Sequence, residues 1–309
     1  MAARKIILDK GQAPGDIVVF TGALRDLKRQ YPDWEIDVRS CCMDVFANNP
    51  HITPLEESAP GVEYHDVGYS DVHQSNHSGR HFSAAYHLEL EDLLGIRLRQ
   101  TEIFPDLHLS ADEKAAPCQV STDLNYDGPF WLINSGNKDD FPLKQWGFER
   151  WQRFVDLLRD RVQFVQIGEL SAGHHHPLLS GVMDLRGRTT LRQLIVLSSR
   201  AQGAVGHVSL LMHLMGAWRK PCVVLAGGRE PWRWEAYPQH QYLHTCGALP
   251  CCDPGGCWLS GNVEIDIEHV RTENKRCRNM RGNSAGCMAM ISPETAARAV
   301  TLYLDGGVA

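Results

Sequence analysis

The sequence lacks the features of a membrane-spanning, secreted or nucleic-acid-binding chain. Nowhere do about 18 uninterrupted apolar residues occur, and the start, MAARKIILDK, has no apolar core of a secretory signal. Positive charge is not in excess, since 31 Lys and Arg stand against 37 Asp and Glu, for a formal net charge of -6. We therefore expect a cytoplasmic protein with no transmembrane segment and no nucleic-acid partner.

Two short motifs are also missing, although their residues are plentiful. The chain has 27 glycines but no Gly-x-Gly-x-x-Gly, so a dinucleotide-binding fingerprint is excluded. It has 10 cysteines but no Cys-x-x-Cys, which counts against a dithiol redox pair. Because stable disulfides are rare in a reducing cytosol, clustered cysteines are left as metal ligands or as unpaired structural thiols.

The sequence alternates short apolar runs with helical patterns, which is typical of parallel sheets covered by helices on both faces. A first series has predicted strands at 5–9 and 36–40 and a helix at 16–32 between them. A second series opens with a strand within 130–136. It continues with helix 148–161, strand 162–169, helix 190–201, strand 203–207, helix 209–218 and strand 222–228.

Two series of this kind predict an α/β chain of two Rossmann-like domains that face a cleft. The polar, strand-poor segment 110–128 contains the predicted boundary, with residues 1–125 in the first domain and 126–309 in the second. Ser292 is placed as the N-cap of a terminal helix over 292–304. Open sheets bind ligands at the carboxyl ends of their strands, so the loops that follow strands are the expected site.

The loop after the first strand carries Gly11, Gly15 and Asp16 at the start of the first helix. Glycines allow a ligand to approach the backbone, and a helix start presents free N–H groups to an anion. Asp16 has two readings at this position. It is either the N-cap of the helix or a general base that faces the cleft.

Several separated motifs resemble glycosyltransferase family nine, the ADP-heptose heptosyltransferases. In the first helix they are Gly15-Asp16, Ala23-Leu24-Arg25 and Tyr31-Pro32-Asp33. The resemblance resumes in 134–151, with Lys-x-Trp before a helix, and in 183–228, with a Met-His-Leu helix and a Pro-Val-Val-like strand. It implies a GT-B-like architecture and an inverting transfer of a heptose or related sugar to a hydroxyl acceptor. The donor that it implies is nucleotide-activated, namely ADP-heptose.

The resemblance assigns Asp16 as the catalytic base and implies no catalytic metal. The donor-binding positions that it implies are Gly15, Lys144, Gly168, Gly187, Thr189, Thr190, Ser209 and His213. Two of them keep a second reading, because Lys144 could be a solvated loop lysine and His213 a core-facing histidine. Where the family has Asp-Ser/Thr-Gly, this chain has Val208-Ser209-Leu210. The acidic residue that holds the sugar is missing there, and His207 is a candidate replacement.

Six of the cysteines fall in a segment, 245–290, that has little apolar periodicity and is inserted before the terminal helix. A small region without its own core is commonly held by a metal. The spacing fits no standard zinc finger, but the segment resembles the cysteine-rich, iron-binding extension of bacterial autotransporter heptosyltransferases. We expect a structural iron, or alternatively zinc, held by Cys251 or Cys252 with Cys257, Cys277 and Cys287, and Cys246 outside this set.

The remaining features concern the acceptor and the surroundings of the donor. The resemblance implies acceptor contacts from His77 and Arg80, with a protein serine or a glycan as acceptor and a possible homo-oligomer. The histidine run at 173–177 is interpreted as a solvated loop. Arg229 and Glu230 are expected to reach the donor, and two nearby tryptophans, Trp232 and Trp234, to pack the insert.

Two further function classes stay open from the sequence alone. One is a nucleotide-sugar isomerase or epimerase of related architecture, which would turn over the donor without an acceptor. The other is a non-catalytic module that binds a nucleotide-sugar and uses its thiolate site for assembly. Neither class needs Asp16 to act as a base toward an acceptor hydroxyl, so this residue separates them from a transferase.

Overall fold

The first half of the chain is built on a three-stranded parallel sheet. The computed structural model describes residues 3–68, 78–139, 141–258, 277 and 279–307. Strands β1 (Lys5–Lys10), β2 (Glu35–Ser40) and β3 (Val62–Asp66) lie in the order β2-β1-β3. Both neighbours run parallel to β1, and this central strand is buried on both faces, which explains its unbroken apolar run.

Two helices cover this sheet, α1 (Pro14–Gln30) and α2 (Phe82–Leu94). α2 ends at Gly95, whose left-handed conformation favours glycine. Arg25 on α1 is buried and donates to the carbonyl of Phe104 at 2.9 Å, which ties α1 to the chain that leads toward the second half. The Ala-Leu-Arg motif therefore acts here in packing and not in ligand contact.

The second half has a larger sheet, with two short antiparallel pairs beside it. Its strands are β4 (Trp131–Ile133), β5 (Asn137–Lys138), β6 (Phe164–Gln166), β7 (His174–His175), β8 (Met183–Asp184), β9 (Gly203–His207), β10 (Cys222–Gly227), β11 (His240–His244), β12 (Met280–Arg281) and β13 (Ser284–Ala285). Six of them form a parallel sheet in the order β11-β10-β9-β4-β6-β8. The pairs are β5 with β7 and β12 with β13.

Helices cover both faces of the larger sheet. They are α3 (Ala111–Ala115), α4 (Gln119–Leu124), α5 (Phe148–Leu158), α6 (Leu191–Arg200), α7 (Leu210–Ala217), α8 (Trp232–Glu235), α9 (Gly286–Ala289) and α10 (Pro293–Leu304). α5 and α10 pack on one face and α6 and α7 on the other. Ile195 and Leu214, from α6 and α7, also join the core of the first half, so the two halves share apolar contacts.

The predicted elements of both series are confirmed in type, and the structure shortens several of them. The strand expected over 162–169 is only Phe164–Gln166. Ser292 caps α10 by accepting from the Thr295 backbone N–H at 3.1 Å, as its sequence position predicts. The segment 110–128 holds two short helices and no strand. The domain boundary at residue 125 stays a prediction.

Among the described residues, none of the helices combines the length and the apolar character that crossing a bilayer would require.

Candidate active site

Asp16 lies in the first turn of α1, directly after the turn that follows β1. Ala13 is the N-cap of this helix and Pro14 opens it, so the reading of Asp16 as an N-cap is wrong. A carboxylate in a first turn is stabilised by the helix dipole. Asp16 is half-buried, which leaves it reachable by a ligand in the cleft.

Gly15 brings the first turn of α1 against the start of α7. A Cβ at Gly15 would lie 3.3 Å from Cδ2 of His213 and 3.6 Å from the backbone of Leu210. A side chain at this position would therefore press on the other half. His213 is buried, with its Nδ1 3.0 Å from the hydroxyl of Tyr237. His213 lies where the two halves meet. It is therefore a buried histidine, as the core-facing interpretation predicts, and it also lies beside the candidate site.

Two buried groups of the first half surround Asp16. The Tyr86 hydroxyl donates to Oδ1 of Asp16 at 3.4 Å, and the Lys10 ammonium lies 4.9 Å from the centre of the Tyr86 ring. Burial lowers the pKa of Lys10, although the carboxylates of Glu89, Asp16 and Asp66 act against this change. The sequence analysis missed Lys10 and Tyr86, because only the folded chain brings them to Asp16.

Lys144 stands on the second half, in the 3-10 turn Pro142–Lys144. Its ammonium donates to the carbonyl of Val208 at 2.9 Å and lies 3.3 Å from Oε1 of Glu230. Its reading as a solvated loop lysine is therefore wrong. Arg229 also contacts Glu230, and its guanidinium lies 5.1 Å from the Phe141 ring. Two cations thus flank one carboxylate at the carboxyl end of β10.

Glu235 is a second carboxyl group in this region, and the sequence analysis missed it. It ends the short helix α8 and is buried. Burial raises the pKa of Glu235 to about 7, while Lys144 and Arg229 lower it and Asp16 raises it. Charges of both halves, Asp16 on the first and Lys144 and Arg229 on the second, thus act on this one carboxyl group.

Two buried polar atoms at the end of β9 have unmet hydrogen-bonding capacity. Ser209 is the N-cap of α7 but makes no side-chain cap bond. Within the described part of the chain, its Oγ and the Nε2 of His207 have no hydrogen-bond partner. Burial, then Lys144, lower the pKa of His207 to about 3. A buried hydroxyl without a partner beside Lys144 and a helix N-terminus fits a polar, anionic ligand.

Gly168 and Gly187 lie together, since the Gly187 N–H donates to the Gly168 carbonyl at 2.7 Å. A Cβ at Gly168 would come within 2.2 Å of Nδ1 of His176, and one at Gly136 within 2.1 Å. Gly168 and Gly136 thus make room for the His176 ring. The solvated-loop reading of the histidine run is right for the exposed His175 and wrong for His176, which is buried.

Thr189 and Thr190 use their side chains within the protein. The Thr189 hydroxyl donates to Oε1 of Gln119 at 3.0 Å. Thr190 is the N-cap of α6 and forms a capping box with Gln193. The motif Thr-x-x-Gln predicts this cap from the sequence. Helix capping therefore accounts for a threonine at position 190 without a ligand.

The Thr190→Ala variant separates the two roles of this residue. A lost N-cap lowers the free energy of unfolding by about 1 kcal/mol, and we expect the KM for the donor to stay unchanged. Denaturant unfolding and initial-rate kinetics measure the two quantities. The Ser180→Ala variant, at an exposed loop position, is the control for a hydroxyl without a capping role. A rise of the donor KM at unchanged stability would instead assign Thr190 to the donor.

The peripheral predictions have mixed outcomes. Arg80 is exposed, and its backbone N–H donates to the Ser78 hydroxyl at 3.3 Å. His77 lies outside the described residues. Trp234 packs edge-on against Trp258 at 4.8 Å between ring centroids, as expected for a residue that holds the insert. Trp232 is 49% exposed, so its predicted packing role is wrong.

Among the described residues, the six cysteines of the insert form no disulfide. The sulfur of Cys246 lies 3.9 Å from the carbonyl oxygen of Gly227, at the carboxyl end of β10. Sγ of Cys252 and Sγ of Cys287 lie 3.2 and 3.6 Å from the point that a Cβ on Gly228 would occupy. The Cys257 N–H donates to the carbonyl of Gly228 at 3.1 Å. Gly228 thus lies beside three cysteines of the insert, Cys252, Cys257 and Cys287.

The thiols are close enough to influence one another. Burial, followed by the thiols of Cys252, Cys257 and Cys287, raises the pKa of Cys246 to about 12. Cys246 therefore lies among the others, although the sequence analysis set it apart. Cys251 is exposed. Its pKa is raised, most by partial burial and less by the thiols of Cys252 and Cys277.

Thiols fit iron or zinc by donor type, and a bound metal would displace their protons. Among the described residues, no three thiols have sulfur atoms that all lie within 4.8 Å of one another. The only three side chains whose donor atoms meet this distance are those of His51, Asp106 and His108. The proximity around Gly228 supports a shared ligand, while the closed four-thiolate site stays a prediction.

Buried histidines make the stability of this fold depend on pH. In five of them burial is the largest cause of a pKa lowered to between about 3 and about 4: His81, His176, His207, His213 and His240. The unfolded chain takes up protons below about pH 6.5, whereas the folded chain does not. The contribution of these histidines to the free energy of unfolding is therefore complete above that pH, and it is lost as the pH falls. Glu235, whose folded pKa is raised, acts in the opposite direction.

We expect the free energy of unfolding to fall between pH 7 and pH 5.5, by about 1 kcal/mol for each buried histidine and less a partial offset from Glu235. Denaturant unfolding at the two pH values measures the difference. The His240→Gln variant should reduce it by about 1 kcal/mol, and the exposed His175→Gln variant should not change it. Equal stability at both pH values would contradict this explanation.

Comparison with known families and structures agrees with this geometry. Residues 37–253 match the model of "Glycosyltransferase family 9 (heptosyltransferase)". No curated protein matches the sequence.

Solved structures with the same fold cover nearly the whole chain. A family 9 glycosyltransferase from Veillonella parvula DSM 2008 has a TM-score of 0.66 at 15% identity, over 98% of this chain and 98% of that chain. The iron-containing dodecameric glycosyltransferase TibC from enterotoxigenic E. coli H10407 has 0.64 at 16%, over 98% and 79%. E. coli ADP-heptose LPS heptosyltransferase II has 0.60 at 15%, over 98% and 99%. The expected GT-B-like α/β fold is confirmed.

Proposed function

The chain belongs to glycosyltransferase family 9, and from that premise we propose that it transfers a heptose from ADP-heptose to a hydroxyl group with inversion at the anomeric carbon. One observation carries the proposal: Gly15, next to Asp16, packs against the start of α7, and Lys144 donates to the carbonyl of Val208 just before it. The N-cap of α7, Ser209, has a buried hydroxyl without a hydrogen-bond partner among the described residues. The proposed base and the proposed anion-binding groups are thus assigned to opposite sides of one junction.

In the proposed reaction, Asp16 removes the proton of the acceptor hydroxyl as its oxygen attacks the anomeric carbon. The bond from that carbon to the diphosphate oxygen breaks, and ADP leaves with the electron pair. Tyr86 holds the Asp16 carboxylate by its hydrogen bond. No metal takes part in these steps, because ADP is already a good leaving group and the positive groups around it belong to the protein.

We assign the diphosphate to Lys144, Ser209 and the N–H groups at the start of α7. An ammonium and a helix N-terminus both favour negative charge. Gly168, Gly187 and Thr189 follow β6 and β8 at the same edge of the sheet. We assign the nucleoside to the backbone of these residues. The assignment of the diphosphate rests on the Ser209 hydroxyl, which has no hydrogen-bond partner in the described part of the chain, and on the contact of Lys144 with Val208.

The acidic residue missing before Ser209 has a candidate replacement in Glu230 and Glu235. Each has one buried carboxylate oxygen, Oε2, with no hydrogen-bond partner among the described residues. Both follow β10, whose carboxyl end adjoins that of β9. We propose that these oxygens accept hydrogen bonds from the hydroxyls of the heptose.

We propose a structural iron, with zinc as the alternative, at the thiols of the insert. The proposed ligands are Cys252, Cys257 and Cys287, which lie around Gly228, together with Cys277. Cys246 and Cys251 are the alternatives for any further place. The metal would hold the insert against the carboxyl end of β10. The relative TibC is iron-containing and dodecameric, and we extend a homo-oligomer to this chain as part of the proposal.

The proposed acceptor is a protein serine or a glycan hydroxyl, and Arg80 is a proposed acceptor contact. The ten cysteines form no disulfide among the described residues, which supports the proposed cytoplasmic location.

The test is release of ADP from ADP-heptose by the purified protein, with and without acceptor proteins and glycans. A transferase releases ADP in proportion to the heptosylated product. Turnover of the donor without ADP release or acceptor would indicate an isomerase or epimerase. Donor binding without any turnover, at all acceptors tried, would indicate a binding module and would overturn the proposed activity.

A further inference from the structure

A cluster of two histidines and one aspartate lies outside the candidate active site. His51 follows the 3-10 turn Met43–Phe46 that comes after β2, while Asp106 and His108 lie on the segment between α2 and α3. Oδ2 of Asp106 is 3.2 Å from Nε2 of His51 and 2.9 Å from Nε2 of His108. One ligand atom from each residue lies within 4.8 Å of the others. Three metal-ligating side chains therefore converge on one point.

These separations suit a common metal ion. Bond lengths of about 2.0–2.2 Å to nitrogen and oxygen in a tetrahedral zinc site place neighbouring donor atoms about 3.3 Å apart. The two rings meet nearly at right angles, with 80° between their planes and 5.9 Å between their centroids. Both can thus direct a nitrogen toward the same point without stacking. Side-chain exposures of 17%, 20% and 28% leave room for a water as the fourth ligand.

The backbone around each ligand is held separately. The His51 N–H donates to Oδ1 of Asn49 at 2.9 Å, and the Asp106 N–H donates to the Thr21 hydroxyl of α1 at 2.8 Å. The carbonyl of His108 accepts from Arg192 of α6 at 2.8 Å. Three independent anchors from different elements pre-organise the cluster, as the supporting contacts of metal sites do.

Hydrogen bonding alone offers a second explanation of the short distances. Asp106 would then accept from both imidazoles, and these contacts would lower its pKa against the effect of burial, as they do here. A hydrogen bond to Asp106 needs only one imidazole, however, so this explanation does not require that two histidines meet there. The pair His65 and Glu63, with 3.2 Å between Nε2 and Oε2, shows such a contact on the same half, where the other partner of the carboxylate is Arg4 and not a second histidine.

We propose that His51, Asp106 and His108 form a binding site for Zn²⁺ or a similar divalent transition-metal ion, separate from the thiols of the insert. Imidazole nitrogens with one carboxylate suit such ions. The bound ion would tie the loop after β2 to the segment that leads into the second half. It would thus support the relative position of the halves from outside the active site.

The experiment compares zinc content and thermal midpoint after loading metal-stripped full-length protein with ZnSO₄ and removing excess. His51→Gln and His108→Gln keep an N–H that can donate to Asp106 but remove the imidazole ligand. We expect each to bind about one equivalent less zinc than wild type and to gain less in thermal midpoint. His65→Gln, the matched control, should bind as wild type does. Equal zinc content in wild type and both variants would overturn the proposal.

A second measurement needs no variant and therefore does not depend on folding of the mutants. Diethyl pyrocarbonate modifies accessible imidazoles, and mass spectrometry locates the products. Zinc should protect His51 and His108 of the wild-type protein but not His65. Unchanged modification of both histidines in the presence of zinc would contradict the site, whatever the activity of the enzyme.

Discussion

Replacing Asp16 with asparagine is expected to lower kcat by about 10²–10⁴-fold while changing the KM for the donor little. Asparagine has nearly the size of aspartate and keeps an oxygen that can accept the Tyr86 hydrogen bond. It cannot take a proton from the acceptor hydroxyl. The loss should therefore affect the chemical step and leave the fold and the donor site intact. Initial rates of heptosyl transfer at varied donor concentrations measure it.

Asp33→Asn is the matched control, because Asp33 is exposed and lies just beyond the other end of α1. Its kcat should equal that of wild type. Tyr86→Phe removes only the hydrogen bond to the carboxylate and should reduce kcat less than Asp16→Asn does. A decrease below about tenfold for Asp16→Asn, with an unchanged thermal midpoint, would show that Asp16 is not the base.

Removing a thiolate from the insert should have the largest effect on stability. Binding of a structural metal contributes directly to folding, so Cys287→Ser should lose the metal and several kcal/mol, which lowers the thermal midpoint by about 10 °C or more. Cys287 is the buried member of the group, and its Sγ lies near that of Cys252 around Gly228. Elemental analysis and calorimetry of the same preparations give the two quantities.

The other thiols separate ligands from bystanders. Cys118→Ser is the control, since Cys118 lies outside the insert and its Sγ is 3.9 Å from the Ser121 hydroxyl. Comparison of Cys246→Ser with Cys251→Ser decides which of these two belongs to the set. Retention of full metal content by Cys252→Ser and Cys287→Ser together would contradict a thiolate site. Transfer activity should survive in any variant that stays folded, because the proposed reaction uses no metal.

Local patterns predicted much of this fold because they depend on neighbours in the sequence. The apolar runs of β9 and β10 and the Ser-Pro start of α10 belong to this kind. Asp16 was found in the same way, from a glycine-containing turn between a strand and a helix. Thr190 shows the reverse case: its capping box was readable, but the resemblance suggested a ligand instead.

The missed residues depend on contacts between distant parts of the chain. Tyr86 reaches Asp16 across 70 positions, and the pKa of Glu235 responds to groups from both halves. The same reason explains the His176 ring, which fills space left by two glycines. No periodicity in the sequence reports such contacts, because burial of a polar side chain is decided by what packs over it.

The contact between Gly15 and His213 also bears on how products leave. A missing side chain at Gly15 lets the starts of α1 and α7 approach to van der Waals distance, so the proposed base lies one residue from the point where the two halves touch. A nucleotide held beside this contact would be released by separation of the two helix starts. The step that frees ADP would then be a motion of whole halves, and turnover would be paced by how readily this junction opens.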